Sequence, residues 1–489
     1  MVKTQIPGRY IDEVFTEITE TNDVVFSTNV PQPRNNNLNL YSIITGLPVA
    51  VKEYDLQNVT LRMDIFEPTD DQITERPLII ICFGGGFVQG SRDYWSIRLL
   101  AEGLARRGYV TATIDYRLGM NLFDKDLGAR AVYRGIQDSR SAIRFFRANA
   151  AQYKIDTDKI FIGGHSAGAF IALHNVYMDK DTERPLSTRI WTQNAMNDCP
   201  DQGCLDCVGD NLGYDGKANG LFSLAGAVGD LQFIESNQEP PPILFHSQDD
   251  GTVPYNIGEP FSDISGLIVG SDLPIVYGSL PISQRCQDLG LPVMFNSYAN
   301  RGHGVHENGT IVLHEDIIPE ITSWFFGQYL EPVTATLQGQ TKYCSENPSV
   351  GYSLNADNFV FFDWQLEGGE LIGDNSSHEV EVTWNPDAPE NKLTVTPYLS
   401  NGTQGATQTI AIELADGEIN EWIGGDGDWM DPGQWSNHHP PLSCQEVIFP
   451  VDVNITVPQN EIINIKTLTL NPNTRVQIPG SSELRISGN

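Results

Sequence analysis

The sequence predicts an α/β protein, a mainly parallel sheet with helices on both faces, followed by all-β C-terminal modules. Three observations predict it. Apolar runs such as LIIIC at 78–82 and IFI at 160–162 are hydrophobic toward both faces, as central parallel strands must be. Stretches of helical periodicity alternate with these runs, the pattern of strand–helix crossovers. After Glu331-Pro332 the helical period vanishes, and basic residues thin to Lys342, Lys392, Lys466, Arg475 and Arg485. Short strands punctuated by Gly, Asn and Pro take over from there.

Residues 1–50 are polar and Asn-rich, with NNNLNL at 35–40, and are expected to wrap the surface. From residue 51, VKEYDLQNVTLRMDIFEP alternates as a two-stranded hairpin does. Pro77 introduces the strand at 78–82, which ends in FGGGF at 83–87. Consecutive glycines can present backbone amides to a ligand with no side chain in the way. A helix through 99–107 leads to a strand within GYVTATIDYRL at 108–118. Ile136, Ile143, Phe146, Ala150 and Tyr153 then recur at helical spacing, which puts Arg140, Arg144 and Arg147 outward on an expected solvated face.

The chain is organised around KIFIGGHSAGAFIALHNV at 159–176. An apolar strand is followed by Gly163-Gly164, expected to break it, and then by good helix formers from Ala169 onward. Gly164-His165-Ser166-Ala167-Gly168 is a G-x-S-x-G set between strand and helix. So sharp a turn requires small flanking residues and pushes the serine hydroxyl clear of the backbone. Ser166 is the expected nucleophile. The helix N-terminus favours negative charge, and the Ala167 amide is expected to face a developing oxyanion.

Residues 181–220 read as an insertion carrying Trp191 and three clustered cysteines, either a lid over the site or a surface excursion. For Cys199, Cys204 and Cys207 a local disulfide is expected instead of zinc, because no nearby histidine or second CxxC supplies a fourth ligand. Strand signals resume at 220–229 and 243–246, and HSQDDGTVPY at 246–255 follows. An acid after a late strand fits the order Ser, Asp, His, and either Asp249 or Asp250 can fill that place. The next strand, 293–298, leads to RGHGVH at 301–306, where His303 between glycines is preferred to His306 as the base. A closing helix is expected over 317–330. Phe87, Tyr94, Trp95, Tyr255 and His165 are candidate substrate contacts.

With 489 residues, more than one core is expected. The net charge of −33 and pI near 4.4 exclude nucleic acid and anionic membrane as natural partners, since both select basic surface. No run approaches the ~18 apolar residues of a membrane span. The polar start lacks an apolar signal core, so an exported protein would have lost its signal. Cys82 reads as a buried thiol, and Cys344 and Cys444 are a candidate pair. Neither metal nor cofactor is called for.

Taken together, FGGGF at 83–87, DYRL at 115–118, GHSAGA at 164–169, HSQDDGTVPY at 246–255 and RGHG at 301–304 resemble the α/β-hydrolase superfamily over residues 50–330. The resemblance is strongest to the esterase branch that includes bacterial feruloyl and acetylxylan esterases, with kinship to hormone-sensitive-lipase-like carboxylesterases. It implies Asp250, three residues before the Val-Pro pair, as the acid, and Gly85 and Gly86 as oxyanion donors beside Ala167. Phe83 stands where the family usually has His, and Ala169 where it usually has Gly. Residues 338–414 resemble the PKD-like immunoglobulin-type sandwiches of secreted bacterial proteins, with Trp364 as a core anchor. Residues 421–489 look like a β-rich module, the first coils of a β-solenoid cut short, in which Asp426, Asp428 and Asp431 are expected to form a solvated Gly-Asp turn, with a calcium site as the alternative. The implied domains are 1–332, 333–415 and 416–489. The implied function is a secreted or cell-surface bacterial serine carboxylic-ester hydrolase acting on acyl esters, polymeric ones such as polysaccharide included. A polyester hydrolase, a serine peptidase of the same fold and a non-catalytic adhesion protein are the alternatives.

Overall fold

The computed structural model describes residues 6–34, 52–261, 272–355, 358–373 and 376–488. The chain forms two compact units, Met1–Glu331 with Ser400–Thr403, and Pro332–Leu399 with Gln404–Asn489.

An eight-stranded sheet carries the first unit. Its strands are β1 (Ile18–Pro33), β2 (Leu56–Pro68), β3 (Arg76–Cys82), β4 (Val110–Ile114), β5 (Ile155–His165), β6 (Gly220–Leu224), β7 (Pro242–Ser247) and β8 (Met294–Tyr298). They lie in the order β1-β2-β4-β3-β5-β6-β7-β8. From β4 to β8 every neighbouring pair is parallel, while β1 and β2 join antiparallel at one edge. β3 is buried along its whole length, which explains its unbroken apolar run. Helices α1 (Trp95–Ala105), α2 (Lys125–Ala148), α3 (Ala167–Tyr177), α4 (Ser279–Leu289) and α5 (Ile318–Phe325) cover the sheet. Glycines let them pack closely: a Cβ on Gly103 of α1 would meet Ile318 of α5 at 2.5 Å, and one on Gly135 of α2 would meet Ile171 of α3 at 2.8 Å. The result is the α/β architecture expected.

Several local expectations are corrected. The residues read as a hairpin contain one described strand, β2, whose partner β1 comes from the polar N-terminal segment. That segment therefore supplies an edge strand instead of a surface wrap, because its polar residues alternate with buried Phe26 and Val30. The NNNLNL stretch lies outside the described residues. Gly163 and Gly164 do not break β5 but sit within it. They are small because β5 is crowded: a Cβ on Gly163 would lie 2.1 Å from the Phe222 ring, and one on Gly164 2.3 Å from Cys82 O.

The largest correction concerns α2. Asp124 caps its start by accepting from Asp126 N and Leu127 N. Its outward arginines are not solvated: Arg140 and Arg144 are buried. Residues 181–217 fold over this face of α2. Both guanidinium groups donate to the two oxygens of Asp206, each at 2.7 Å. Arg130 donates to Ser187 O and Pro200 O, both at 2.6 Å, and Gln137 to Gln202 O and Cys204 O at 2.8 and 2.9 Å. Arg147 pairs with Asp215 at 3.3 Å. Helical spacing gave the correct face, but the cover that buries it comes from residues distant in sequence. A Cys204–Cys207 disulfide closes one turn of the insertion, and Cys199 stays a buried thiol.

In the second unit, strands over 336–411 form a four-stranded and a three-stranded sheet around one apolar core containing Trp364, Trp384, Val382 and Leu393. Inward and outward residues alternate along Ser349–Asn355 and Glu379–Trp384, as a sandwich requires. From residue 419 onward the strands instead pair in parallel. Glu446 lies beside Thr467, Asn454 beside Arg475 and Ile462 beside Glu483, a repeat of 21 residues. Such coils stack one above another, and Val447, Ile455 and Ile463 fill the interior with Trp422, Trp429 and Trp435. Asp426 accepts from Asn454, while Asp428 and Asp431 accept from Met430 N and Gly433 N and shape turns. Cys344 and Cys444 are disulfide-bonded. Among the described residues, no helix is long and apolar enough to cross a membrane.

Candidate active site

Ser166 sits where β5 turns into α3, at φ 54° and ψ −118°. A side chain other than glycine pays for positive φ, and the neighbours hold it there. Ser166 N donates to Leu224 O at 2.9 Å, and Ser166 O accepts from Ala169 N and Phe170 N at 2.9 and 3.0 Å. A Cβ on Gly168 would strike Cys82 O at 2.1 Å, so the second glycine of the motif lets the helix lie against β3.

The structure brings three distant side chains together. His303 Nε2 is 2.8 Å from Ser166 Oγ, and His303 Nδ1 is 2.8 Å from Asp250 Oδ2. Asp250 Oδ1 accepts from Thr252 N at 2.8 Å and Val253 N at 3.0 Å. A carboxylate can only accept, so Nδ1 carries the ring proton and Nε2 turns its lone pair to the hydroxyl. Burial pushes the Asp250 carboxyl up, but donors from His246 and His303 outweigh it and hold the group well below the usual carboxylate range. An ionised acid, a correctly tautomerised imidazole and a hydroxyl form a chain able to move one proton.

Asp249, the other candidate acid, is exposed and turns elsewhere: it accepts from Ser247 Oγ at 2.5 Å and Gly302 N at 2.9 Å. His306 is fully buried and meets Ser96 Oγ at 3.0 Å.

The glycine loop runs beside Ser166. A Cβ on Gly84 would lie 3.3 Å from Ser166 Cβ. Gly85 and Gly86 take φ values of +124° and +61°, and Val88 N and Gln89 N, each at 3.2 Å, close the turn on Gly85 O. Phe83, where the family that the motifs resemble usually has histidine, stacks on Tyr116 with centroids 4.2 Å apart. Tyr116 OH in turn donates to Phe83 O at 2.9 Å. An aromatic pair thus supports the loop in place of a polar side chain.

The candidate substrate contacts separate. Tyr94 and Trp95 are exposed at the start of α1, next to Ser96, which touches His306 and Glu307 on the His303 loop. Phe87 is corrected to core: it is buried, edge-on to Tyr116 and close against Gly135. Tyr255 packs on His246 and Phe295, with its hydroxyl 2.8 Å from Ser297 Oγ. His165 lies behind the site, its ring between those of His303 and His306 at 4.8 and 4.6 Å. Its Nε2 meets His303 O at 3.0 Å. Burial, then electrostatic repulsion from His303, pulls His165 down to about 3, so a neutral ring backs His303. Two neighbours escaped the sequence reading. Phe261 reaches within 3.2 Å of where a Gly86 Cβ would stand, and His246 touches Asp250. Only the second had a signal, its place in the acid motif.

A parallel sheet with a serine on the strand–helix turn after β5, and an acid and a histidine after β7 and β8, is the arrangement of the α/β-hydrolase fold. Residues 63–209 match the BD-FAE family. The first unit has the α/β-hydrolase fold, and the proteins it is similar to include esterases. Probable isoprenylcysteine alpha-carbonyl methylesterase ICMEL1 of Oryza sativa subsp. japonica is 33% identical over 111 residues, 23% of this chain and 24% of its own length. Its Arabidopsis thaliana namesake is 25% identical over 221 residues, 41% of this chain and 44% of its own. The neuroligin-like protein glit-1 of Caenorhabditis elegans is 36% identical over 115 residues, 22% of this chain and 15% of its own. This chain therefore spans less than half the length of each. Among solved structures, the native thermophilic esterase Est2 of Thermogutta terrifontis is 21% identical, with 56% of this chain and 89% of that chain covered and a TM-score of 0.38.

Proposed function

We propose that the protein is a serine carboxylic-ester hydrolase that works through an acyl-enzyme intermediate. The single observation that carries this reading is the position of the His303 ring, 2.8 Å from both Ser166 Oγ and Asp250 Oδ2. In the first half-reaction Ser166 Oγ attacks the ester carbonyl as His303 Nε2 takes its proton. Asp250 keeps the imidazole in the required tautomer and stabilises its cation. The amides of Gly85, Gly86 and Ala167 bind the tetrahedral oxyanion, each donor worth roughly 3–4 kcal/mol of the barrier. His303 then returns the proton to the departing alcohol. Water attacks the acyl-enzyme by the same relay in reverse, releasing the acid and free Ser166.

The substrates proposed are acyl esters of polysaccharide or other small acyl and aryl esters, with polyester as the alternative. Export to an oxidising compartment belongs to the same proposal, supported by the two disulfides. Turnover of a p-nitrophenyl ester series by wild type and Ser166→Ala tests the reaction; equal rates from the two proteins would refute it. Feruloylated arabinoxylan, acetylated xylan and polyester film, assayed side by side, separate the substrate classes.

A further inference from the structure

We propose that His246 is a positioning residue for the acid of the relay, a second imidazole that completes the set of donors on Asp250 and fixes how that carboxylate meets His303. The inference rests on the reading of Asp250 and His303 given above.

His246 lies near the C-terminal end of β7 and is fully buried. Its Nε2 stands 3.2 Å from Asp250 Oδ2 and 3.2 Å from Val253 O, and its Nδ1 2.9 Å from Ser279 Oγ at the start of α4. Both oxygens facing Nε2 can only accept, so that nitrogen carries a proton, which it donates to Val253 O while its positive N–H end lies against Asp250 Oδ2. Asp250 is then met by polar groups at both oxygens. Oδ1 takes the amides of Thr252 and Val253, and Oδ2 takes His303 Nδ1, with His246 Nε2 3.2 Å to its other side. A buried carboxylate so bound has one orientation, and it aims Oδ2 at the catalytic imidazole. Ser279 extends the chain to five groups, from its own hydroxyl through His246, Asp250 and His303 to Ser166. The titratable groups facing His246 are Asp250 directly, Tyr255 with its ring 5.6 Å away, and His303 and His165 across the carboxylate.

Two substitutions isolate the proposed contact. In His246→Gln the amide nitrogen reaches the place of Nε2 and keeps a donor on Asp250, whereas His246→Asn reaches only the place of Nδ1. For the Asn variant kcat should fall by about tenfold or more while KM stays within about twofold, the mark of a group acting through the relay. With one donor fewer, Asp250 presents more negative charge to His303 and favours its cation, so the acid limb of the kcat/KM profile should move to higher pH. The Gln variant should keep both kcat and the limb close to wild type. A low-field proton resonance from the His303–Asp250 hydrogen bond should shift in the Asn variant and not in the Gln variant. Equal behaviour of the two, wild-type-like or impaired, would overturn the assignment. An inactive wild type would instead sink the esterase reading, and the proton resonance would still decide the role of His246.

Discussion

Asp249 Oδ1 accepts the backbone N–H of Gly302 at 2.9 Å, so the carboxylate beside the relay acid holds the loop that carries His303. Ser247 Oγ adds to the clasp by accepting from Arg301 N at 2.8 Å while donating to Asp249. Two neighbouring aspartates thus hold His303, Asp250 by its ring and Asp249 through the amide of the preceding Gly302.

Asp250→Ala should lower kcat by roughly 10³–10⁴, the size expected when a base loses the group that sets its tautomer. Asp249→Ala loosens only an exposed clasp and should cost about tenfold or less. Steady-state kinetics of both variants on one p-nitrophenyl ester checks the ranking. The reverse order would transfer the acid role to Asp249.

Asp206 is the carboxylate for two buried guanidinium groups, and Asp206→Ala would leave Arg140 and Arg144 only backbone carbonyls to bond. The loss should be about 2–3 kcal/mol, moderated because the Asp206 side chain is 30% exposed. Asp215→Ala, which breaks the looser pair with Arg147, should cost under about 0.5 kcal/mol. Urea unfolding midpoints measure both, and equal losses would contradict the clamp on α2.

Crowding on β5 makes a steric prediction. Gly163→Ala should destabilise the protein by about 3 kcal/mol, since the added Cβ would overlap the fully buried Phe222 ring. Gly351→Ala, at a strand position with nothing within 4 Å of the added Cβ, is the neutral control. Thermal melts of the pair decide it.

His174 supplies a pH prediction. Its Nε2 accepts from Gly229 N at 3.1 Å and its Nδ1 meets Phe170 O at 2.8 Å, an arrangement that fits the neutral ring. Burial lowers it to about 4 from an ordinary value near 6.5. The unfolded chain then binds the extra proton between those values, so stability is full above about pH 6.5 and declines as pH falls toward about 4. Each such histidine contributes about 1.4 kcal/mol per pH unit in that window. His174→Gln should flatten the stability–pH curve by that slope in equilibrium unfolding from pH 7 to 4; an unchanged slope would mean the ring is already charged in the native state.

Patterns of short range carried much of this protein in plain view. Residues 78–82 and 160–162 can only be central strands, because both their faces are apolar. Around Ser166 the small residues are dictated by a turn too tight for larger ones. His303 stood out by its place between glycines, while the residues left Asp249 and Asp250 open and only the resemblance to the family motif favoured Asp250. Less legible were features made by chain segments far apart in sequence. The N-terminal strand looked like polar surface because only one of its faces meets the core. Arg140 and Arg144 looked solvated because nothing near them announces Asp206. Phe87 looked like a pocket wall until Tyr116 and Gly135 proved to be its neighbours.

By itself, then, the sequence determined the strand–turn–helix at Ser166, the alternation of strands and helices, and the change to β-structure after residue 331, since each depends on residue size and periodicity along a short stretch. Tertiary structure alone decided that α2 would be clamped by an insertion, and that the Asp250 carboxylate would sit between two imidazoles. Those outcomes depend on desolvation and on hydrogen bonds between segments that meet only when the sheet closes, and no local pattern encodes them.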